Sequence, residues 1–155
     1  DAHPDLYDHL DGDRFSHACP FARIMEEGRV ARLLQFGIRT MNPHQRAQAE
    51  RFGVEVHQFR DWDGGIPPLT GPVYVTVDLD ALDPAFAPGV SHHEPGGMST
   101  RQLLGALRQI AGSGATVVGA DVVELNPTRD LDDVTAMVAA KIARELLGVL
   151  ITTQR

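Results

Sequence analysis

Lysine is almost missing from this sequence: of its fourteen Lys and Arg residues only Lys141 is lysine. The net charge is −7 and no basic patch forms, which argues against a nucleic-acid partner, since phosphate binding needs a cationic surface. Cysteine is as scarce. Cys19 stands alone, so an internal disulfide is excluded, and the composition fits a reducing, cytoplasmic location. No apolar run approaches the roughly eighteen residues of a membrane span, so no membrane association is expected. Internal repeats and low-complexity tracts are also lacking. The 155 residues suffice for a sizeable core, and a single domain over 1–155 is expected. The chain starts with Asp1, inside a motif and with no strand before it. It therefore reads as the C-terminal portion of a longer protein.

What the chain does have is alternation of helix and strand signals. Cys19 to Glu27 reads as a short helix with Pro20 in its first turn and Gly28 at its end. Val30 to Ile38 reads as a strand. Pro43 to Phe52 reads as a helix capped by Asn42 and closed by Gly53. Val54 to Phe59 and Val73 to Val77 read as strands, the second short and β-branched as a buried parallel strand should be. A helix from the cap Ser99 to about Ala111, a strand from Thr116 to Val123 and a helix from Asp132 to Val149 capped by Asp130 complete the chain. Val134, Met137, Val138, Ile142 and Leu146 are the expected apolar stripe of that last helix. The fold class this predicts is α/β: a mainly parallel sheet covered on both faces, in three αβα layers.

Two short segments concentrate acidic and imidazole side chains. One is Asp1-Ala2-His3-Pro4-Asp5. The other is Asp78-Leu79-Asp80-Ala81-Leu82-Asp83-Pro84, directly after the Val-rich strand. Recurrence at every second residue puts such side chains on one face of an extended segment. In open α/β sheets chemistry gathers beyond the carboxyl ends of strands. Carboxylates bridge paired divalent cations, and a two-metal site makes hydroxide from water at neutral pH. A lone Asp after a strand would read as a turn residue; two complementary clusters read as ligands.

Together with Val77 to Gly89 and with Asp121-Val122-Val123-Glu124-Leu125-Asn126-Pro127, these segments resemble the ureohydrolases, the family of arginase and agmatinase. The resemblance implies an arginase-like fold, here the C-terminal part of a catalytic domain, and a centre of two Mn²⁺ ions. It implies that Asp1 and Asp78 bridge the metals, that His3 and Asp80 ligate one ion and that Asp5 ligates the other. The family's remaining ligand, a His in a Gly-Gly-Asp-His motif, is expected upstream of Asp1. Oxygen donors with a few imidazoles suit Mn²⁺ better than a thiolate-preferring metal. The resemblance further implies that Asp5 accepts a hydrogen bond from the metal-held hydroxide. Glu124 is implied to pair with the substrate guanidinium, and His17, in Ser16-His17, to act as a proton shuttle that hands a proton to the leaving amine. A homo-oligomer, trimeric or hexameric, is implied as well.

The segment Asp8-His9-Leu10-Asp11-Gly12-Asp13 is strongly acidic. It is expected to repel an amino-acid carboxylate and to favour a distal amine. On this ground, and from the Ser16-His17 and Glu94-Pro95-Gly96-Gly97 segments, the chain looks most like agmatinase, hydrolysing agmatine to putrescine and urea. The alternatives are a guanidinobutyrase or other guanidino-acid hydrolase and, in another class, a non-catalytic metal-binding or regulatory member. His92 and His93 stand in the place of a substrate-side loop, with that role and plain loop polarity both open. His44 and His57 are expected on solvent-facing surfaces.

Overall fold

The computed structural model describes residues 1–154. The chain forms two compact units, Asp1–Asp61 and Trp62–Arg155, each taken in turn.

The first unit holds α1 (Pro20–Glu26), β1 (Leu34–Ile38), α2 (Pro43–Phe52) and β2 (Glu55–Gln58). β1 and β2 pair in parallel, with α2 as the crossover between them. The local chemistry of α2 explains both its ends. The Asn42 side chain accepts from the Gln45 N–H at 2.9 Å, and the Gln45 side chain accepts from the Asn42 N–H at 3.1 Å. This reciprocal pair satisfies donors that the first helical turn leaves open. Pro43 occupies the first turn, where no N–H is missed, and Gly53 ends the helix at φ 64°, a left-handed conformation that suits glycine.

β1 is shorter than the expected Val30–Ile38. Its ladder begins at Leu34 because the partner strand begins at Glu55. Upstream of that point Val30 is exposed, and Arg32 turns to Glu55, donating at 2.8 Å. The extended segment 1–5 is tied to β1: Arg39 N–H donates to Ala2 O at 2.9 Å and the buried Gln35 amide donates to Pro4 O at 2.7 Å.

The second unit holds β3 (Pro72–Asp78), α3 (Thr100–Ala111), β4 (Thr116–Val123) and α4 (Val134–Thr153). β3 and β4 are parallel, with a bulge between Val73 and Tyr74. α3 has the predicted Ser99 cap, its hydroxyl accepting from Gln102 N–H. Val75, Val77, Val117, Leu107, Ile142 and Leu146 are buried together as the core of this unit. Between β3 and α3 runs the segment 79–98. It returns on itself, since Asp83 N–H donates to Met98 O at 2.8 Å and Met98 N–H to Ala81 O at 3.0 Å.

α4 departs from expectation at its start. Asp132 and Asp133 take positive φ values of 49° and 58°, so the helix begins at Val134. Asp130 still caps it from a distance: its carboxylate accepts from Thr135 N–H and Ala136 N–H, each at 2.9 Å. That anchor turns Thr135 inward. The buried face is Thr135, Ile142, Leu146 and Val149, while Val134 and Met137 of the expected stripe face outward.

Candidate metal centre

In the first unit the burial of residues 1–6 alternates: Ala2, Pro4 and Leu6 are buried, whereas Asp1, His3 and Asp5 are half-buried. The period of an extended chain thus puts the three polar side chains on one side and the small apolar ones on the other. His3 N–H donates to Asp1 Oδ1 at 2.6 Å, and His3 Nδ1 lies 3.8 Å from the same oxygen. Asp5 adopts φ 48°, a left-handed turn at the end of the segment.

In the second unit Asp78 is the last residue of β3 and Asp80 sits in the 3-10 turn Leu79–Ala81. Their exposures are 7% and 3%. Asp80 N–H donates to Asp78 Oδ1 at 2.9 Å, so the two carboxylates are held close. Burial first, and then the neighbouring Asp80 charge, push the Asp78 carboxyl up to about 8. Two buried carboxylates side by side call for a proton or a cation. The donor types of each cluster, carboxylate and imidazole in the first unit and carboxylate in the second, fit a hard divalent ion such as Mn²⁺. Among the described residues, the side chains suited to a metal ion are Asp1, His3 and Asp5 in the first unit and Asp78 and Asp80 in the second. Cys19 is buried, and burial pushes its thiol up, away from the thiolate that a metal would take.

The other site candidates lie as follows. His17 is exposed, with Nδ1 3.5 Å from Ser16 Oγ. Glu124 is half-buried, one residue past β4, at φ 67°. His92 and His93 are exposed, and a ring nitrogen of His93 lies 2.6 Å from Pro88 O. His44 is exposed as expected and accepts from Asp8 N–H at 3.2 Å, but His57 is half-buried and stacks on Phe36 with ring centres 4.6 Å apart. Its burial follows from lying in β2 opposite Phe36.

Asp83 follows the ligand-type pair but serves the backbone. One carboxylate oxygen accepts from Ala85 N–H at 2.9 Å; the other accepts from Gly96 N–H at 2.7 Å and Gly97 N–H at 3.1 Å.

The acidic segment after Asp5 is not the bare negative surface that its sequence suggests. Arg14 Nη1 reaches Asp8 Oδ1 at 3.0 Å and Arg23 Nη2 reaches it at 3.2 Å. Arg23 also donates to the Asp8 carbonyl at 2.8 Å. Its Nε lies 3.1 Å from Glu26 Oε2, out of line for a hydrogen bond. Desolvation pushes the Asp8 carboxyl up; the hydrogen bond from Arg23 and the charges of Arg14 and Arg23 outweigh it and hold the group below its ordinary range. Arg14 and Arg23 had no motif to mark them. The only signal was an arginine directly after the run of acids.

An α/β chain with parallel strands, carrying acidic and histidine clusters of this composition, defines a metal-binding fold of the ureohydrolase kind. Comparison with known proteins gives the family: the Arginase family model matches residues 1–148, and the chain belongs to it. Arginase 1, mitochondrial, of Arabidopsis thaliana is 54% identical over 94% of this chain and 44% of its own length. The solved arginase of Medicago truncatula superposes with a TM-score of 0.87 at 47% identity, over 97% of this chain and 49% of that one. The fold is thus the three-layer α/β fold of these enzymes, with its parallel sheet. Agmatinase of Bacillus cereus is 38% identical over 95% of this chain and 52% of its own length. The chain spans about half the length of such relatives.

These matches overturn two expectations. The chain is more similar to the arginases than to agmatinase. The misleading feature was the acid run, whose Asp8 is matched by arginine. The cytoplasmic expectation also falls. The Arabidopsis relative is a mitochondrial protein by name, and a lone cysteine does not distinguish the cytosol from other reducing compartments. Among the described residues no helix is long and apolar enough to cross a membrane.

Proposed function

We propose that the whole protein is a binuclear Mn²⁺ ureohydrolase that cleaves arginine to ornithine and urea. The observation that carries this is the pair of ligand clusters: half-buried Asp1, His3 and Asp5 on one segment and buried Asp78 and Asp80 on the other. In this reading residues 1–155 are the C-terminal part of one catalytic domain. Asp1, His3, Asp5, Asp78 and Asp80 would hold the ions. When bound, paired divalent cations supply a water-derived nucleophile at neutral pH.

The chain's own groups do the rest. Glu124 pairs with the guanidinium through two parallel hydrogen bonds, fixing the carbon for attack. Asp5 accepts a hydrogen bond from the attacking oxygen. His17, exposed and close to Ser16, hands a proton to the leaving nitrogen as the C–N bond breaks. Oxygen ends on the urea carbon and the alkyl nitrogen leaves as an amine.

Arginine is favoured over agmatine for two reasons. The relatives named arginase are the more similar ones. The Asp8 charge, which would repel a substrate carboxylate, is compensated by Arg14 and Arg23. The test is urea release by the full-length protein from arginine, agmatine and 4-guanidinobutyrate. The highest kcat/KM is expected with arginine. A higher value with either of the others overturns the substrate, and no urea from any of them, in Mn²⁺-loaded protein, points to the non-catalytic reading. Assembly into a homo-oligomer is part of the proposal and is read by light scattering.

A further inference from the structure

Glu124 occupies a backbone conformation that its side chain does not favour, and the structure contains a device that holds it there. β4 ends at Val123, opposite Asp78 of β3, so the residue before Glu124 is fixed by the sheet. The next residue takes φ 67°. Non-glycine residues adopt this region seldom, and Glu has no short side chain to bond its own backbone there.

Two residues on, Asn126 is fixed from several directions. Its N–H donates to Gly89 O at 2.8 Å. Its amide nitrogen donates to Ser91 Oγ at 2.9 Å. Its amide oxygen accepts from Thr128 N–H at 3.1 Å and from Thr128 Oγ1 at 2.7 Å. Arg129 adds a bond from Nη1 to Ser91 O at 3.1 Å.

The acceptor of that latch is itself immobile. Gly89 N–H donates to the fully buried Thr135 hydroxyl at 2.7 Å. A Cβ on Gly89 would come within 2.8 Å of the Asp130 side chain, so the loop is seated as closely as a glycine allows. The segment 89–91 thereby grips the backbone just past Glu124.

We infer that Asn126, through its bonds to Ser91 and Gly89, is a positioning residue that sets the direction of the Glu124 carboxylate toward a guanidinium. The inference rests on the reading of Glu124 given under Proposed function. With the latch intact Glu124 is bounded on both sides, by the β3–β4 register and by Asn126. Without it the left-handed turn relaxes and the carboxylate wanders by an ångström or so, a displacement that can cost about a hundredfold when it misplaces a reacting group.

The experiment is a double-mutant cycle in the full-length, Mn²⁺-loaded protein, with arginine and agmatine as substrates and Mn²⁺ content and thermal denaturation measured alongside. Asn126→Ala should lower kcat/KM about tenfold or more on the better substrate, within the range for misplaced groups. Manganese content should stay at the parent level. Asn126→Asp keeps the acceptor for Thr128 and leaves Ser91 free to donate, so it should restore most of the loss. In a Glu124→Gln background the same Asn126→Ala change should cost little, because both act through one carboxylate. An equal loss in both backgrounds, or manganese lost along with activity, overturns the positioning role. If Glu124→Gln alone leaves kcat/KM unchanged, the assignment of Glu124 fails and the latch role falls with it. Should Asn126→Ala not fold, Ser91→Ala removes only the amide–hydroxyl bond and is judged by the same cycle, with a several-fold loss expected.

Discussion

Replacing Asp83 by Asn tests whether the third acid of its segment serves the loop or the metals. The carboxylate accepts three backbone N–H groups, from Ala85, Gly96 and Gly97, at 2.9, 2.7 and 3.1 Å. An amide has one oxygen. Turned toward the glycines, it loses the Ala85 bond; turned the other way, it sets its own N–H against two donors. The first orientation costs less. It removes one charge-assisted bond, of about 1.5–3 kcal/mol, and weakens two others to the roughly 0.5–1.5 kcal/mol of neutral bonds. Ala85 and Gly96 are exposed, so water recovers part of this. The net expectation is a destabilisation of about 1–3 kcal/mol with the manganese complement intact. Urea unfolding of the Mn²⁺-loaded protein reads the first quantity and elemental analysis the second. Manganese lost from Asp83→Asn as completely as from Asp78→Asn would refute the reasoning, and so would an unchanged unfolding midpoint.

Asp78→Asn should strip the protein of bound manganese and abolish urea release, because the buried carboxylate at the end of β3 is assigned to both ions; parent-level metal content in this variant would contradict the bridging role. Arg23→Gln should raise KM for arginine more than for agmatine, since it removes one of the two cations on Asp8 and the tie to the Asp8 carbonyl. Steady-state kinetics on the two substrates check this, and equal changes in both would show that the ion pair holds the loop without influencing the substrate carboxylate.

How much of this could be read from the sequence depended on the range of each interaction. α2 was legible from cap to cap, because Asn42, Pro43 and Gly53 act within a turn of where they stand. So was β4, whose apolar run matches its observed limits, Thr116–Val123. The beginning of β1 was not, since a ladder starts where its partner does and Glu55 is distant in sequence. The start of α4 failed for a different reason. Asp132 and Asp133 look like ordinary first-turn acids, yet the distant hold of Asp130 on Thr135 and Ala136 leaves them in left-handed conformations. In the candidate centre, the alternation of residues 1–6 and the acids at the end of β3 follow from local chain geometry. The Asp8–Arg23 pair and the Asn126–Ser91 bond span 15 and 35 residues. No periodicity announces either one. Counting acids between Asp8 and Asp13 without the arginines that fold onto them pointed to agmatinase, whereas the arginases are the more similar relatives.

The left-handed residues carry the same lesson into function. Asp5, Asp11, Glu124, Asp132 and Asp133 are the non-glycine residues at positive φ among those described. Aspartate visits that region at modest cost, because its short side chain can bond to nearby backbone. Asp11, Asp132 and Asp133 are exposed, and turn chemistry is a sufficient account of them. Glutamate has no such relief, and a residue held in a sparsely populated backbone region costs of order 1–3 kcal/mol. A glycine at position 124 would fit the turn with less strain but would carry no carboxylate. The sheet register before Glu124 and the Asn126 latch after it supply the restraint that this conformation requires. Backbone cost, a carboxylate just past a strand end and a grip on both flanks are what a fixed guanidinium-binding group needs. The same three features would be superfluous for a solvated surface acid.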